Sequence, residues 1–435
     1  MTWDFETEPE FQEKLDWLAE FVLREVEPID LAFGHDVVYD KTHPVHRELI
    51  EPLQEQVKAQ GLWACHLGPE LGGLGYGQVK LALMNEVLGR STFAPLTFGC
   101  QAPDSGNAEI LAHYGTDEQK ARFLQPLLDG KIVSCFSMTE PQGGADPQVF
   151  TCRAELDGDE WVINGEKWFS SNLKYAAFAI VMAVTDPDVP IYQGASMFLV
   201  PTDTPGMTII RDVGIGGEPM GTGAHAYVRY DNVRVPADHV LGGPGQAFAI
   251  AQTRLGGGRI HHAMRTIGMC QRAIDMMCER ALSRHTQGSV LAAKGAVQEY
   301  IADSWMELHQ FRLMVLHAAW VIDRVGGHKA RKEIAAVKVM TAKVLKDIVF
   351  RAMHLHGSLG VSNEMPLIGM WMAAPVMGIA DGPTEVHKVT VARQVLKQYT
   401  PAPGLFPTAH LPERVAAARE KYAHLVEHHI ANHPM

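Results

Sequence analysis

The sequence Ile379-Ala380-Asp381-Gly382-Pro383-Thr384-Glu385-Val386-His387 places an acid directly before Gly-Pro, at the start of a helical pattern. Pro383 suits the first turn of a helix, where a missing N–H costs nothing, so the pattern predicts a helix that begins near Thr384. Glycine lets the backbone approach a ligand closely, and a carboxylate beside it can act on that ligand. Two interpretations follow for Asp381: a residue that caps the helix, as Thr384 also could, or a carboxylate that serves a bound molecule.

The composition is typical of a soluble globular protein. A chain of 435 residues with 46% hydrophobic and 20% charged residues predicts about three domains. The net charge of −12 argues against nucleic-acid binding. The six cysteines are scattered without a C-x-x-C motif, as in a reducing compartment, and the longest apolar run, 175–184, is too short to cross a membrane. We therefore expect a cytoplasmic protein without a membrane segment.

The pattern of the chain changes twice. Apolar residues recur at helical spacing over 8–60, β-forming residues and turn dipeptides dominate from 132 to about 240, and helical spacing returns at Gln246. We expect an α+β protein with an N-terminal helical domain, a central antiparallel β domain and a C-terminal helical bundle. The predicted boundaries are 1–131, 132–241, 242–400 for a domain like a four-helix bundle, and a tail at 401–435 with a helix around Val415 to Val426.

Local signals refine this outline. Asn164-Gly165 predicts a hairpin turn, and 177–184 predicts a buried strand. The glycines of 72–77 predict a plain turn, because no strand precedes them and no G-x-G-x-x-G register holds. Long helices are predicted from two stripes of apolar residues, which are Ile260, Met264, Ile267, Cys270, Ile274, Met277 and Ala281, and then Ile334, Val337, Met340, Val344 and Ile348.

Four segments together resemble the acyl-CoA dehydrogenase family. They are Phe136-Ser137-Met138-Thr139-Glu140-Pro141-Gln142-Gly143-Gly144-Ala145-Asp146, Gly165-Glu166-Lys167-Trp168-Phe169-Ser170-Ser171-Asn172, Arg254-Leu255-Gly256-Gly257-Gly258-Arg259-Ile260-His261-His262, and the 379–387 segment. The match runs from about residue 8 to 400, in the family's order. The last two segments look closest to the subgroup that includes the dehydrogenase portion of large kinase-like fusion proteins.

The resemblance implies a bound FAD and the α,β-dehydrogenation of an acyl-CoA thioester in fatty acid and lipid metabolism. A carboxylate would take the α-proton while a hydride leaves the β-carbon toward flavin N5, and both groups must lie near contact distance. The resemblance assigns the carboxylate to Asp381. Some relatives carry the base at the position of Gly258, which has no side chain here. Arg259 is a second catalytic candidate, and Gly258, Arg259 and Gly382 are candidate substrate contacts.

The resemblance also assigns cofactor contacts. Near the flavin they are Phe136, Met138, Thr139, Ala145, Phe169, Ser170 and Ser171. At the phosphates and adenine they are His354, His356, Gly357, Ser358, Pro383, Thr384 and Glu385. Arg284, Thr286 and Gln287 match a segment that reaches the FAD of a neighbouring subunit. Three departures from the family pattern bear on the substrate and on CoA binding. His354 stands where relatives usually have glutamine, Ala145 stands where serine is common, and 371–378 lacks the arginines that relatives usually carry there.

Several alternatives remain open at this point. The implied acceptor is an electron-transferring flavoprotein, but an oxidase on the same fold would pass electrons to dioxygen, and a helical scaffold would have lost catalysis. The resemblance implies a homodimer or homotetramer and leaves the acyl chain undefined. The 21 histidines form no His-Glu-x-x-His motif and no zinc-spaced cluster, so no metal is predicted.

Overall fold

The computed structural model describes residues 7–425 and residue 428. The chain forms two compact units, one up to Val391 and one from Ala392 onward. The first unit holds a helical N-terminal region, a central sheet and a helical C-terminal region, so the predicted fold class is confirmed.

The N-terminal region is built from short helices. Two of them begin where proline or a capping residue predicts a helix start: Pro9 opens the first, and Thr116 forms a capping box with Gln119 at the start of the three-residue helix α8. Three π-helical turns, Val22–Val26, His46–Ile50 and Lys120–Leu124, link neighbouring helices. The helices are α1 (Pro9–Phe21), α2 (Glu27–Ala32), α3 (His35–Tyr39), α4 (Glu51–Ala59), α5 (Gly77–Leu88), α6 (Ala94–Thr97), α7 (Asp104–Tyr114), α8 (Asp117–Gln119) and α9 (Gln125–Leu128).

The central region is one mostly antiparallel sheet. Its strands are β1 (Ser134–Ser137), β2 (Arg153–Asp157), β3 (Glu160–Ser171), β4 (Phe178–Val184), β5 (Ala195–Pro201), β6 (Met207–Val213), β7 (His225–Pro236) and β8 (Val240–Leu241), with α10 (Ile191–Gly194) before β5. The order is β6-β7-β3-β2-β4-β5-β8, and β1 pairs with β4. The β1–β4 and β2–β4 pairings are parallel. The buried strand predicted at 177–184 is confirmed as β4.

The hairpin turn predicted at Asn164-Gly165 is wrong. Strand β3 runs through both residues, and the turn that joins β2 to β3 lies at 158–159, because Asp157 pairs with Glu160. The β3–β7 register shifts between Ile163 and Gly165, so the dipeptide marks a bulge. A side chain at Gly165 would stand 2.6 Å from the Cα of Cys152, which explains why glycine is needed there.

The C-terminal region consists of long helices, which confirms both predicted stripes. They are α11 (Ala247–Ser283), α12 (Gly295–Val325), α13 (Arg331–His356), α14 (Leu367–Ile379) and α15 (Thr384–Leu396), with a small hairpin β9 (His285–Thr286) and β10 (Ser289–Val290) after α11. The whole first stripe, from Ile260 to Ala281, is buried. In the second unit α16 spans Leu411–Lys421 and residues 423–425 are again helical, so a helix is present where one was predicted around Val415 to Val426, although it begins earlier, at Leu411. Val426 itself lies outside the described residues.

Packing places α11 at the centre of the first unit. Its first turns, with Ala247, Ile250 and Ala251, share a core with β4, β5 and α7. Its later turns share a second core with α1, α5, α12 and α13. The glycines 256–258 lie between these two stretches, where a helix without side chains leaves room beside it.

Candidate active site

A cavity of about 1430 Å³ borders α7, β3, α11, α13 and α14, together with the loops after β1 and after α14. Ten of the residues predicted for the site line it, although they come from four separate parts of the sequence. They are Phe136, Met138, Thr139, Ala145, Phe169, Ser171, Arg259, Asp381, Gly382 and Pro383.

Asp381 is held by its backbone. Its φ of +57° lies in the left-handed region, which is uncommon for a residue with a side chain and is found where the surroundings enforce it. The enforcing contacts are two donors on its carbonyl oxygen: Arg259 Nε at 2.9 Å and His387 Nε2 at 3.2 Å. No described residue accepts a hydrogen bond from the Asp381 N–H, so this donor is available to a ligand in the cavity.

The Asp381 carboxylate lies over one face of α11. A Cβ at Gly258 would stand 2.7 Å from Oδ2, so the carboxylate occupies the space that a side chain there would fill. One helical turn further, His262 Nε2 lies 3.7 Å from the same oxygen. The Asp381 side chain is 15% exposed, which leaves it shielded but reachable from the cavity.

Cationic and imidazole groups surround this carboxylate. Lys338 on α13 is buried and donates to the carbonyl of Met377, and burial lowers its pKa to about 8. Burial also lowers the pKa of His262 and of His387 to about 4, so both imidazoles are neutral near pH 7. Arg254 is half-buried, and its guanidinium lies 3.9 Å from the ring centre of Phe136.

A second acid, Glu109 on α7, lines the same cavity. Its Oε2 would stand 2.8 Å from a Cβ at Gly257, next to the glycine that faces Asp381. Burial raises its pKa to about 7, against the opposing charge of Arg254. Among the described residues Glu109 has no hydrogen-bond or ion-pair partner.

The loop after β1 is fixed by a buried ion pair. Lys167 Nζ lies 2.9 Å from Glu140 Oε1, with side chains 0% and 1% exposed. Lys167 also donates to the Met138 carbonyl at 2.8 Å, and Glu140 accepts from the backbone N–H of Cys152 at 3.1 Å. This network holds Met138 and Thr139 against β3.

An aromatic group forms another part of the wall. Phe169 has a φ of +56°, is 37% exposed and lines the cavity. It stacks on His225 with the ring centres 5.0 Å apart, and His225 Nδ1 lies 2.8 Å from the Ser171 hydroxyl. His225 is therefore a cavity residue beside two predicted ones.

Other predicted residues lie away from the cavity. Ser170 is buried and bonds to the Ser137 hydroxyl at 2.8 Å, and His356 is buried with Nδ1 2.8 Å from the Ala352 carbonyl. Gly258 faces Asp381, as described above. The rest are exposed or half-buried: Arg284, Thr286, Gln287, His354, Gly357, Ser358, Thr384 and Glu385. The contacts proposed for these residues stay predictions.

The capping interpretation of Asp381 is wrong. Its carboxylate lies against α11, and the Thr384 hydroxyl donates back to the Gly378 carbonyl at 3.3 Å, so neither side chain caps α15 in the described part of the chain. The predicted start of that helix at Thr384 is confirmed. Sequence reasoning missed Glu109, His225 and Lys338, because the fold brings them to the cavity or to the Asp381 loop from distant segments, and it did not assign a role to His387, although that residue lies in the quoted motif. The Gly256–Gly258 run is the one sequence signal that something packs against α11 there.

Comparison with known proteins decides the family. The acyl-CoA dehydrogenase N-terminal, middle and C-terminal domain models match residues 8–131, 135–233 and 245–396. The chain belongs to the acyl-CoA dehydrogenase family. The resemblance read from the four motifs is thereby confirmed.

Two relatives show how much is shared. The chain is 40% identical to acyl-CoA dehydrogenase family member 10 of Mus musculus over 89% of its own length and 37% of that protein's. It is 43% identical to a Mycobacterium tuberculosis protein assigned as an acyl-CoA dehydrogenase, over 80% of this chain and 86% of that protein. The chain thus spans 37% to 45% of the vertebrate relatives named family members 10 and 11.

Solved structures agree with the fold. A Mycobacterium abscessus structure described as an acyl-CoA dehydrogenase superposes with a TM-score of 0.83 at 40% identity, over 91% of this chain and 100% of that one. Butyryl-CoA dehydrogenase of Megasphaera elsdenii gives 0.77 at 26% identity, over 91% and 100%. Within the described ranges, no helix has the length and apolarity to cross a membrane, and no three His, Cys, Asp or Glu residues form a group that could hold a metal.

Proposed function

We propose that this protein catalyses the FAD-dependent α,β-dehydrogenation of an acyl-CoA thioester to the trans-2-enoyl-CoA, with Asp381 as the base. The observation that carries the proposal is the position of the Asp381 carboxylate, which reaches a large cavity and lies on the bare face of α11 at Gly258. A base must be held near contact distance of the proton that it removes.

The backbone of Asp381 supports the same assignment. Its N–H has no acceptor among the described residues, while Arg259 and His387 hold its carbonyl oxygen. A fixed N–H beside the carboxylate can donate to the thioester oxygen, where negative charge collects as the α-proton leaves. Asp381 would then take the proton and stabilise the resulting charge from one residue, with Arg259 as the group that positions it.

The residues around the cavity fit FAD. Phe169 is partly exposed at the cavity and offers a flat aromatic surface for a planar ring, and Met138 and Thr139 are held at the cavity by the Lys167–Glu140 pair. Ala145 and Ser171 would complete that part of the site. FAD would supply the acceptor for the hydride that leaves the β-carbon.

The assembly and the acceptor are part of the proposal. Arg284, Thr286 and Gln287 are exposed at the β9–β10 hairpin. In a homodimer or homotetramer, the Arg284 guanidinium would bind the phosphates of a neighbouring subunit's FAD. An electron-transferring flavoprotein would then reoxidise the flavin. His354, His356, Gly357, Ser358, Pro383, Thr384 and Glu385 would hold the remainder of the cofactor.

The test is anaerobic mixing of the purified FAD-loaded protein with a panel of acyl-CoA thioesters while flavin absorbance is followed. Asp381→Asn should bind FAD yet reduce it at least about 100-fold more slowly, because the proton acceptor is gone. The exposed Asp203→Asn variant is the control for the charge change. Normal flavin reduction by Asp381→Asn would refute the assignment, and rapid oxygen uptake without an added acceptor would favour an oxidase.

A further inference from the structure

The His262 imidazole lies next to the Asp381 carboxylate, with Nε2 3.7 Å from Oδ2. Gly258 and His262 are four residues apart on α11 and therefore lie on one face of the helix, and the carboxylate lies over both. Asp381 borders the cavity, whereas His262 does not. The imidazole thus lies next to the carboxylate without lining the cavity.

We propose that His262 is a positioning residue for Asp381, which donates its Nε2–H to Oδ2 and so keeps the carboxylate directed at the cavity. This rests on the proposed function, because it assigns a partner to the proposed base. The separation of 3.7 Å is longer than a hydrogen bond, so the proposed contact requires one of the two side chains to rotate toward the other. An aspartate has a free χ2 rotation, so a carboxylate fixed only at its backbone would sample several directions.

The neutral state of His262 suits this role. Burial lowers its pKa to about 4, so the imidazole is neutral near pH 7 and carries one N–H that can be donated. The charged and titratable groups that face His262 are Arg254, His261, Arg265, Lys338 and Asp381. The cations among them oppose protonation of the imidazole, which keeps it a hydrogen-bond donor to the carboxylate rather than a full ion-pair partner.

A matched pair of amide variants tests the geometry. The Gln side chain places its NH₂ where His carries Nε2, and the Asn side chain is one methylene too short to reach Oδ2. The FAD-loaded His262→Gln and His262→Asn proteins would be compared with wild type in anaerobic flavin reduction by an acyl-CoA thioester. Flavin content and thermal melting are measured alongside, and the exposed His309→Asn serves as the surface control.

We expect His262→Gln to stay within about 3-fold of wild type and His262→Asn to lose about 10- to 100-fold in kcat with KM little changed, because the loss concerns orientation of the base. In His262→Asn the acid limb of the pH profile of kcat/KM should move to higher pH, because the carboxylate loses a donor that favours its ionised form.

Equal rates and equal pH profiles for the Gln and Asn variants would overturn the proposal, as would a loss of rate in both with no movement of the acid limb. If His262→Asn fails to retain FAD, a wild-type acid limb in His262→Gln supports the proposal and a displaced limb contradicts it. The Asp381→Asn variant distinguishes failure of the two proposals. Normal turnover in Asp381→Asn would refute Asp381 as the base. An inactive Asp381→Asn together with wild-type rates in both His262 variants would refute only the positioning role of His262.

Discussion

The bare Cα of Gly258 and the carboxylate of Asp381 share one space: a Cβ at Gly258 would lie 2.7 Å from Oδ2. Real Cβ atoms do not approach so closely, so a side chain at Gly258 would require the Asp381 carboxylate to move from its present position. This agrees with the expectation that relatives place the base at either position but not at both. In this chain α11 has a glycine at position 258, and the carboxylate at that place is Asp381, from the loop before α15.

Gly258→Ala should separate stability from activity. Alanine favours a helix over glycine by about 1 kcal/mol, so α11 itself tolerates the change. The new methyl group would displace the Asp381 carboxylate, and we expect flavin reduction by substrate to fall at least about 10-fold. Gly256→Ala is the matched control, since its Cβ meets nothing within 4 Å. Comparable rates in the two variants would show that the contact does not matter.

Gly382→Ala should damage the same loop from the other side. Gly382 has a φ of +103°, and a Cβ there would stand 3.0 Å from His387 Nε2, the atom that holds the Asp381 carbonyl. Gly217→Ala has the same backbone strain, at a φ of +111°, with no neighbour within 4 Å. Both variants should lose about 1–3 kcal/mol in the free energy of unfolding, and only Gly382→Ala should also slow flavin reduction. A slow Gly217→Ala would point to strain alone.

The sequence predicted the elements better than the contacts between them. The Ile260–Ala281 stripe predicts a helix because apolar residues recur every three or four positions. The fold class follows from the order of three sequence patterns: helical, then β-forming, then helical again. The hairpin prediction at Asn164-Gly165 failed because a dipeptide that tolerates positive φ angles is favoured in a β-bulge as well as in a hairpin turn. Motifs located Asp381, yet only the fold brings Glu109 to Gly257 and His262 to Asp381, because these pairs depend on helix rotation and crossing.

Glu109 should make stability depend on pH. Its folded pKa, about 7, lies above the ordinary value of 4.5, so its contribution is fully present below pH 4.5 and is lost as pH rises toward and through 7. Glu109→Gln cannot ionise, and we expect it to gain on wild type by up to about 3 kcal/mol between pH 5 and 8. Denaturant unfolding at several pH values measures this gain. The exposed Glu118→Gln should follow the wild-type curve, and a parallel curve for Glu109→Gln would contradict the assignment.

The Lys167–Glu140 pair should govern both stability and cofactor retention. Lys167→Met leaves the Glu140 carboxylate buried without its cation and frees the Met138 carbonyl, so we expect a loss of about 3–5 kcal/mol in the free energy of unfolding. Arg229→Met removes a pair with Glu166 that lies at the surface on the neighbouring strand, and it should change stability far less. Because the buried pair holds Met138 and Thr139 at the cavity, Lys167→Met should also release FAD on dilution, as followed by flavin fluorescence. Full FAD retention together with lowered stability would mean that the pair supports the sheet and has no part in holding the cofactor loop.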